Sequence, residues 1–304
     1  MRERAVGVAL LCAAAGLPEA AVAADDAALL HAHRPELRYD RSERDFPTSI
    51  EAWRADRPGK PVVYGHAVRR RDGARWLQYW IFYADNPQDR GLLRTGRHEG
   101  DWELVQLRLD SRGRPEHAAL RAHTWAQGCR WSELVRTRSD GPVVFVANGS
   151  HANYSRPGVH DRPWPDPNDE ADGRGRVVRP PVEPVGVAEL GGRGPDRSIE
   201  PTRRISPGWL AWPGRFGNSR ASFVPGEQSS PRGPAFQPEW ADPARLEREA
   251  RSCTAEPPGR AWQAPVMIGL VALPVLVLAA RARRRRRPPG EPGATPPGAA
   301  SRPA

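Results

Sequence analysis

The sequence predicts a mainly β protein: an antiparallel β-sandwich or distorted barrel with long proline-rich loops and few short helices, plus one C-terminal transmembrane helix. Three observations carry that expectation. Short β-branched and aromatic runs recur between 60 and 154, parted by turn residues. Fifteen prolines fall between Ser155 and Trp240, which nearly excludes regular helix there. Residues 264–280, "APVMIGLVALPVLVLAA", are uncharged and are followed at once by "RARRRRR".

Taken in order, residues 1–24 read as a secretory signal: Arg2 and Arg4, an apolar Ala5–Leu17, then small residues before Asp25-Asp26. An extracytoplasmic β-domain is expected over 25–252. Within it Ile50–Arg54 looks helical, and "KPVVYGHAVRRRDGARWLQYWIFY" (60–83) reads as a hairpin turning at Asp72-Gly73. "HEGDWELVQLRL" (98–109), Ala118–Trp125 and "PVVFVANGSHANY" (142–154) supply further strands. From Ser155 to Trp240 the prolines dictate irregular loops. Seven aromatics there (Trp164, Trp209, Trp212, Phe216, Phe223, Phe236 and Trp240) imply that the loops wrap onto the sheet, with Asp166–Arg176 the most mobile part. Pro243–Arg251 looks helical, with proline at its first position. A juxtamembrane linker (253–263) then leads to the apolar run 264–280, about 25 Å long at about 1.5 Å per residue, the short end of a membrane span. The arginines that follow would hold a disordered tail, 281–304, in the cytoplasm. The expected location is therefore the cell membrane, single-pass, with the N-terminal domain outside the cytoplasm.

The formal charge of +10 on 304 residues invites a nucleic-acid reading, but position removes it. Residues 281–304 carry seven arginines against one glutamate, and residues 1–24 are balanced, so only about +4 is spread over the rest. Nucleic acid is not an expected partner. Removing the signal takes away Cys12 and leaves Cys129 and Cys253, and an isolated pair in an oxidising compartment usually bonds.

The chemistry concentrates at the start of one strand. Asp101 and Glu103 share a face with Val105, Leu107 and Leu109, so two acids continue an apolar row. Charge stripped of water needs a partner. An imidazole and two carboxylates (His98, Asp101, Glu103) suit a divalent cation, provided Gly100 bends the chain so that His98 joins the acids. The competing reading is a salt-bridged rim in which Arg94, Arg97 or Arg108 neutralises them. His123 and His151 adjoin other strands and are candidate further ligands or ligand contacts, while Trp102, on the opposite face, should be core. A serine nucleophile at Ser150 is disfavoured: Ser150-His151 aims its side chains apart, and no Gly-x-Ser-x-Gly elbow exists.

Six ordered blocks, "YDRSERDFPTSIEAW", "LQYWIFYADN", "HEGDWELVQLRL", "AHTWAQGCRWSEL", "PVVFVANGSHANY" and "GRFGNSRASFVPGEQSSPRGPAFQPEW", resemble the vacuolar protein sorting-associated protein 62 family over roughly 39–243. That resemblance implies no established reaction. His-x-x-Asp-Trp-Glu is also similar to a motif of necrosis-inducing secreted proteins, which carry it on a β-sandwich. There the three polar residues ligate a divalent cation that helps to recognise a sphingolipid head group, which implies the same roles for His98, Asp101 and Glu103.

The expected function is a membrane-anchored β-domain whose divalent-metal site recognises a glycan or lipid head group. A metal-dependent hydrolase of an ester or phosphate, with His151 or His123 as base, uses the same cluster. A structural envelope protein with merely paired acids is the third reading.

Overall fold

The computed structural model describes residues 19–70, 73–87, 96–162, 166–187, 205–206, 208–217, 229–257, 273–279 and 281. The chain divides into two compact units, 1–258 and 259–304. In the second, residues 273–279 are helical, and most of the expected membrane run lies outside the described residues. No helix among the described residues is long and apolar enough to cross a membrane. The signal segment falls outside them as far as residue 18.

The first unit opens with α1 (Glu19–Ala32), β1 (Glu36–Tyr39), α2 (Ile50–Arg54), β2 (Val63–Arg69), β3 (Arg75–Asn86) and β4 (His98–Leu109). β5 (Pro115–Ala122), β6 (Trp125–Arg130), β7 (Val143–Val146) and β8 (Asn153–Tyr154) follow. The proline-rich stretch contributes only short strands: β9 (Gly158–His160), β10 (Asp169–Ala171), β11 (Val177–Val178), β12 (Val182–Pro184), β13 (Gly186–Val187) and β14 (Ile205–Ser206). The unit closes with α3 (Pro238–Ala241), α4 (Pro243–Glu249) and β15 (Arg251–Ser252).

Seven strands form the main sheet in the order β12-β2-β3-β4-β5-β6-β15, and four form a second in the order β11-β1-β7-β8. The expected hairpin is present: β2 and β3 pair antiparallel from Val63↔Ile81 to Arg69↔Arg75. The sheets are mixed rather than wholly antiparallel, because β12 pairs parallel with β2, β15 with β6 and β1 with β7. The described strands do not close into a barrel.

β3 and β4 are apolar on both faces because both faces are covered. One face sets Leu77, Tyr79, Ile81, Val105 and Leu107 against Leu37, Tyr39, Val144 and Val146 of the second sheet. The other sets Trp80, Phe82, Trp102 and Leu104 against Ile50, Trp209, Leu210, Phe216, Trp240 and Leu246. The proline-rich segment therefore does wrap the sheet, and Trp102 is core. Trp212 is the exception, half-exposed at 49%, while Trp164 and Phe223 lie outside the described residues.

α1 runs across position 24; it buries Leu30 in the core, and its Asp25 and Asp26 pair with Arg69 and Arg75. Two expectations need correcting. The stretch 166–176, expected to be the most mobile, contains β10, which pairs with β9 and buries Asp169 completely. Arg108 turns to Glu116 and Glu247 rather than to the acids of β4. Arg94 lies outside the described residues.

The two cysteines are joined: the Cys129–Cys253 disulfide spans 124 positions with Cα atoms 4.5 Å apart. It ties the end of β6 to the segment after β15, where the Cys253 carbonyl accepts a 2.7 Å bond from the Ser155 hydroxyl.

Candidate functional site

The start of β4 is bent by Gly100, whose φ is +64°. No other residue fits there, since a Cβ would lie 1.8 Å from the Phe216 carbonyl oxygen. The bend sets His98 beside Asn86, whose amide also reaches Asp101. His98 stands opposite Asn86 at the end of β3, and the Asn86 amide nitrogen lies 3.3 Å from both His98 Nε2 and Asp101 Oδ2. His98 Nδ1–H donates to the Gly100 carbonyl at 2.8 Å, which fixes the tautomer and leaves the Nε2 lone pair facing the Asn86 amide. All three side chains are buried.

His151 comes from the loop between β7 and β8. Its Nδ1 lies 3.1 Å from Asp101 Oδ2, and its ring stacks flat on Tyr83 at 3.8 Å. The backbone here is held in the left-handed region, φ +55°, which is uncommon outside glycine. Glu43 holds that loop. One of its carboxylate oxygens accepts from Gly149 N at 2.7 Å, and the other accepts from Arg44 N and Asp45 N. His151 Nε2 is 3.8 Å from Glu43. Burial opposes the charged imidazolium, but the Asp101 hydrogen bond and the charges of Glu43, Asp101 and Asp45 outweigh it and raise the His151 pKa above its ordinary value. Glu103, two residues along the same face, accepts from the Asn153 amide at 3.2 Å.

Three acids, two imidazoles and two amides therefore meet at one end of the sheet core. Among them three buried polar atoms have no hydrogen-bond partner: Asn86 Oδ1, Asn153 Oδ1 and His151 Nε2, the last 3.8 Å from Glu43. Among the described residues no group of three or more His, Cys, Asp or Glu side chains is placed to hold an ion. In kind, carboxylate and amide oxygens with imidazole nitrogens suit a hard or borderline divalent cation. The imidazole of His98 is also backed by a carbonyl, as ligating histidines usually are.

His123 lies elsewhere. It sits in the turn between β5 and β6, also in left-handed backbone at φ +59°, and meets Asp169 at 2.7 Å rather than Asp101 or Glu103. Asp169 also accepts from Ser150 Oγ at 2.7 Å and from the Tyr154 hydroxyl at 2.6 Å, with Arg162 at 3.7 Å. Ser150 is thus committed to a carboxylate and has no imidazole as its base. Burial pushes the Asp169 carboxyl up, but His123, Arg162 and Tyr154 more than reverse that and hold it well below the ordinary carboxylate range.

Glu43, Asn86 and Asn153 were not among the residues singled out from the sequence. Asn86 ends the strand that pairs with His98, and Asn153 follows His151 by two positions in "GSHANY"; those placements were the available signals.

The fold and the site together describe a β-domain with a buried acid–imidazole–amide cluster at one end of its main sheet. No protein-family model matches the chain. Among curated proteins it is similar to a putative vacuolar protein sorting-associated protein, TDA6, of Saccharomyces cerevisiae, 28% identical over 109 residues. That match takes in 29% of this chain and 23% of the yeast protein, so the chain spans less than a quarter of that relative's length. Among solved structures it is similar to NLPPya in complex with glucosamine, with a TM-score of 0.36, 14% identity, and coverage of 52% of this chain and 71% of that one. It is also similar to a toxin fold for microbial attack and plant defense, with a TM-score of 0.37, 16% identity, and coverage of 55% and 76%. A necrosis and ethylene inducing protein from the causal agent of cocoa's witches' broom disease overlaps it with a TM-score of 0.33 and 13% identity, covering 51% and 72%.

Proposed function

We propose that the chain is an extracytoplasmic binding domain of the vacuolar protein sorting-associated protein 62 type, held at a membrane by residues 264–280. Its buried cluster takes a divalent cation and through it recognises the polar head group of a glycan or lipid. His98, Asp101 and Glu103 would hold the cation with help from the Asn86 and Asn153 amides, and His151 would steady Asp101. A bound cation supplies a positive centre for hydroxyl or phosphate oxygens.

The observation that carries this reading is a set of buried polar atoms without a hydrogen-bond partner beside Asp101 and Glu103: Asn86 Oδ1, Asn153 Oδ1 and His151 Nε2. Native interiors rarely leave such groups unsatisfied, and a cluster of them beside two acids indicates something further to bind. Binding is favoured over hydrolysis because His151 is fully buried and engaged with Asp101, and Ser150 faces Asp169.

The test is thermal unfolding of the purified chain with Ca²⁺, Mg²⁺, Mn²⁺ or Zn²⁺ and with chelator, alongside metal analysis. At least one cation should raise the melting temperature of the wild type and leave Asp101→Asn unchanged. No response to any of the four would end the cation reading. Membrane anchoring is checked separately: protease added to intact cells should digest 25–260 and spare the tail, and a protected domain would overturn it.

A further inference from the structure

On the Trp102 face of the main sheet lies an open cleft of about 740 Å³ lined by Trp53, Arg54, Asp56, Glu99, Trp212, Arg215 and Phe216. Its size falls within the roughly 300–1,000 Å³ usual for small-molecule sites. The two tryptophans are differently mounted but both fixed. Trp53, on α2, packs edge-on against Phe82 at 5.2 Å and lies 6.0 Å from Phe216. Trp212 is 49% exposed yet seated: its backbone N–H donates to the Trp209 carbonyl at 3.1 Å, and its indole lies against Gly214. A Cβ at 214 would come within 2.6 Å of the ring. An exposed indole packed against a glycine is partly restrained already, so stacking a ligand on it costs less side-chain entropy.

The polar groups are of both signs and are placed by backbone devices. Asp56 follows the α2 C-cap in left-handed backbone, φ +47°, with its N–H donating to the Trp53 carbonyl at 3.0 Å. Arg215 is oriented by a 2.6 Å bond from its guanidinium to the Ser230 carbonyl. Glu99 enters from β4, its carbonyl pressed so closely on Gly217 that a Cβ there would lie 2.4 Å away.

We propose that this cleft binds a neutral saccharide. The indoles of Trp212 and Trp53 would offer flat faces to the C–H surface of a sugar ring. Asp56 and Glu99 would accept from its hydroxyls, and Arg54 and Arg215 would donate to them. The charge pattern makes the choice. Two acids oppose a polyanion such as nucleic acid or a uronate chain, and two arginines oppose a lone cation against the aromatic faces. Aromatic platforms with paired donors and acceptors and no net charge fit polyhydroxylated rings. This inference does not depend on the cation reading of the Asp101 cluster.

The test is isothermal titration of the full chain with cellobiose, maltose, lactose and diacetylchitobiose, with phosphocholine and trigalacturonate as contrasting probes. At least one neutral disaccharide should bind. Trp212→Ala should weaken it about tenfold or more at an unchanged melting temperature, and Arg54→Ala should weaken it less. Chelator and Asp101→Asn should leave it unaltered. Binding of phosphocholine or trigalacturonate alone would overturn the proposal, as would no disaccharide binding. Disaccharide binding that survives Trp212→Ala but is lost with chelator would also overturn it and assign the sugar to the acid cluster.

Discussion

Asp101 and Asp169 are both buried carboxylates facing a histidine held in left-handed backbone, yet their surroundings differ in kind. Asp169 accepts three bonds of 2.6–2.7 Å, from His123, Ser150 and Tyr154, with Arg162 nearby. Asp101 accepts longer bonds, 3.1 and 3.3 Å, from His151 and Asn86, and partnerless polar atoms lie around it. The difference teaches how to separate structure from function when composition is the same. A carboxylate saturated by donors from several elements is a clamp: here it fastens β10 to the loops carrying His123 and Ser150. An acid cluster with surplus acceptors keeps capacity for a ligand. His151 and His123 look equivalent in the sequence, and only their acids tell them apart.

The Asp169 side can be loosened first at the disulfide. Cys253 and the residues after it brace the Asp169 side. Ser155 donates to the Cys253 carbonyl, and Glu256 pairs with both Arg156 and His160. Replacing Cys129 and Cys253 together with serine should cost at most about 4–5 kcal/mol in the chain-entropy model for a loop of this length. Amide exchange should accelerate in 153–171 well before it does in 98–103. Equal acceleration in both segments would show that the two regions are not independently supported.

The clamp itself is tested next. Asp169→Asn leaves Arg162 and His123 facing a neutral amide in a fully buried setting, and breaking a buried ionic network of this sort costs about 3–5 kcal/mol. Urea unfolding measures it, and a loss below about 1 kcal/mol would mean that Asp169 does not clamp this side of the core. The matching change on the other side should behave differently. Without metal, Asp101→Asn should cost less than Asp169→Asn, because it weakens one longer bond to His151 while relieving repulsion among the neighbouring acids. Its largest effect should appear with cation: at one hundred times the Kd the wild type gains about 2.7 kcal/mol and the variant nothing.

How much of this was legible beforehand follows from the range of the signals. The β2–β3 hairpin and β4 are written in alternation and turn residues, which act over a few positions, and they were read correctly. The bend at Gly100 was likewise readable, because a glycine beside a polar triplet has few other uses. The partner of His123 was not. Asp169 sits 46 positions away in a proline-rich stretch whose local texture says loop, and only the β9–β10 pairing makes it interior. Parallel edge strands such as β12 and β15 are invisible for the same reason: each is two or three residues long and is defined by its neighbour. α1 was hidden because small and apolar residues before an acidic pair serve a leader and a helix equally well.

The smallest expected effect is pH, and there the two regions should move in opposite directions. The Asp169 carboxyl is held below its ordinary value, so the stability it contributes is complete above the unfolded value of about 3.9 and is lost as pH falls through the folded one. His151 is held above its ordinary value, so its contribution is complete below about 6.5 and is lost as pH rises through its folded value. Each is a single-proton slope, at most about 1.4 kcal/mol per pH unit. Melting profiles of metal-free protein from acid to mildly alkaline pH, compared with His151→Gln and Asp169→Asn, separate them. His151→Gln should flatten the profile above about pH 6.5 and Asp169→Asn the profile below about pH 4. A His151→Gln protein that keeps the alkaline slope would mean that Asp101 and Glu43 do not hold a proton on that ring. The raised charge state would then be absent from the cluster, and with it the electrostatic contrast between a saturated acid and one left with capacity to bind.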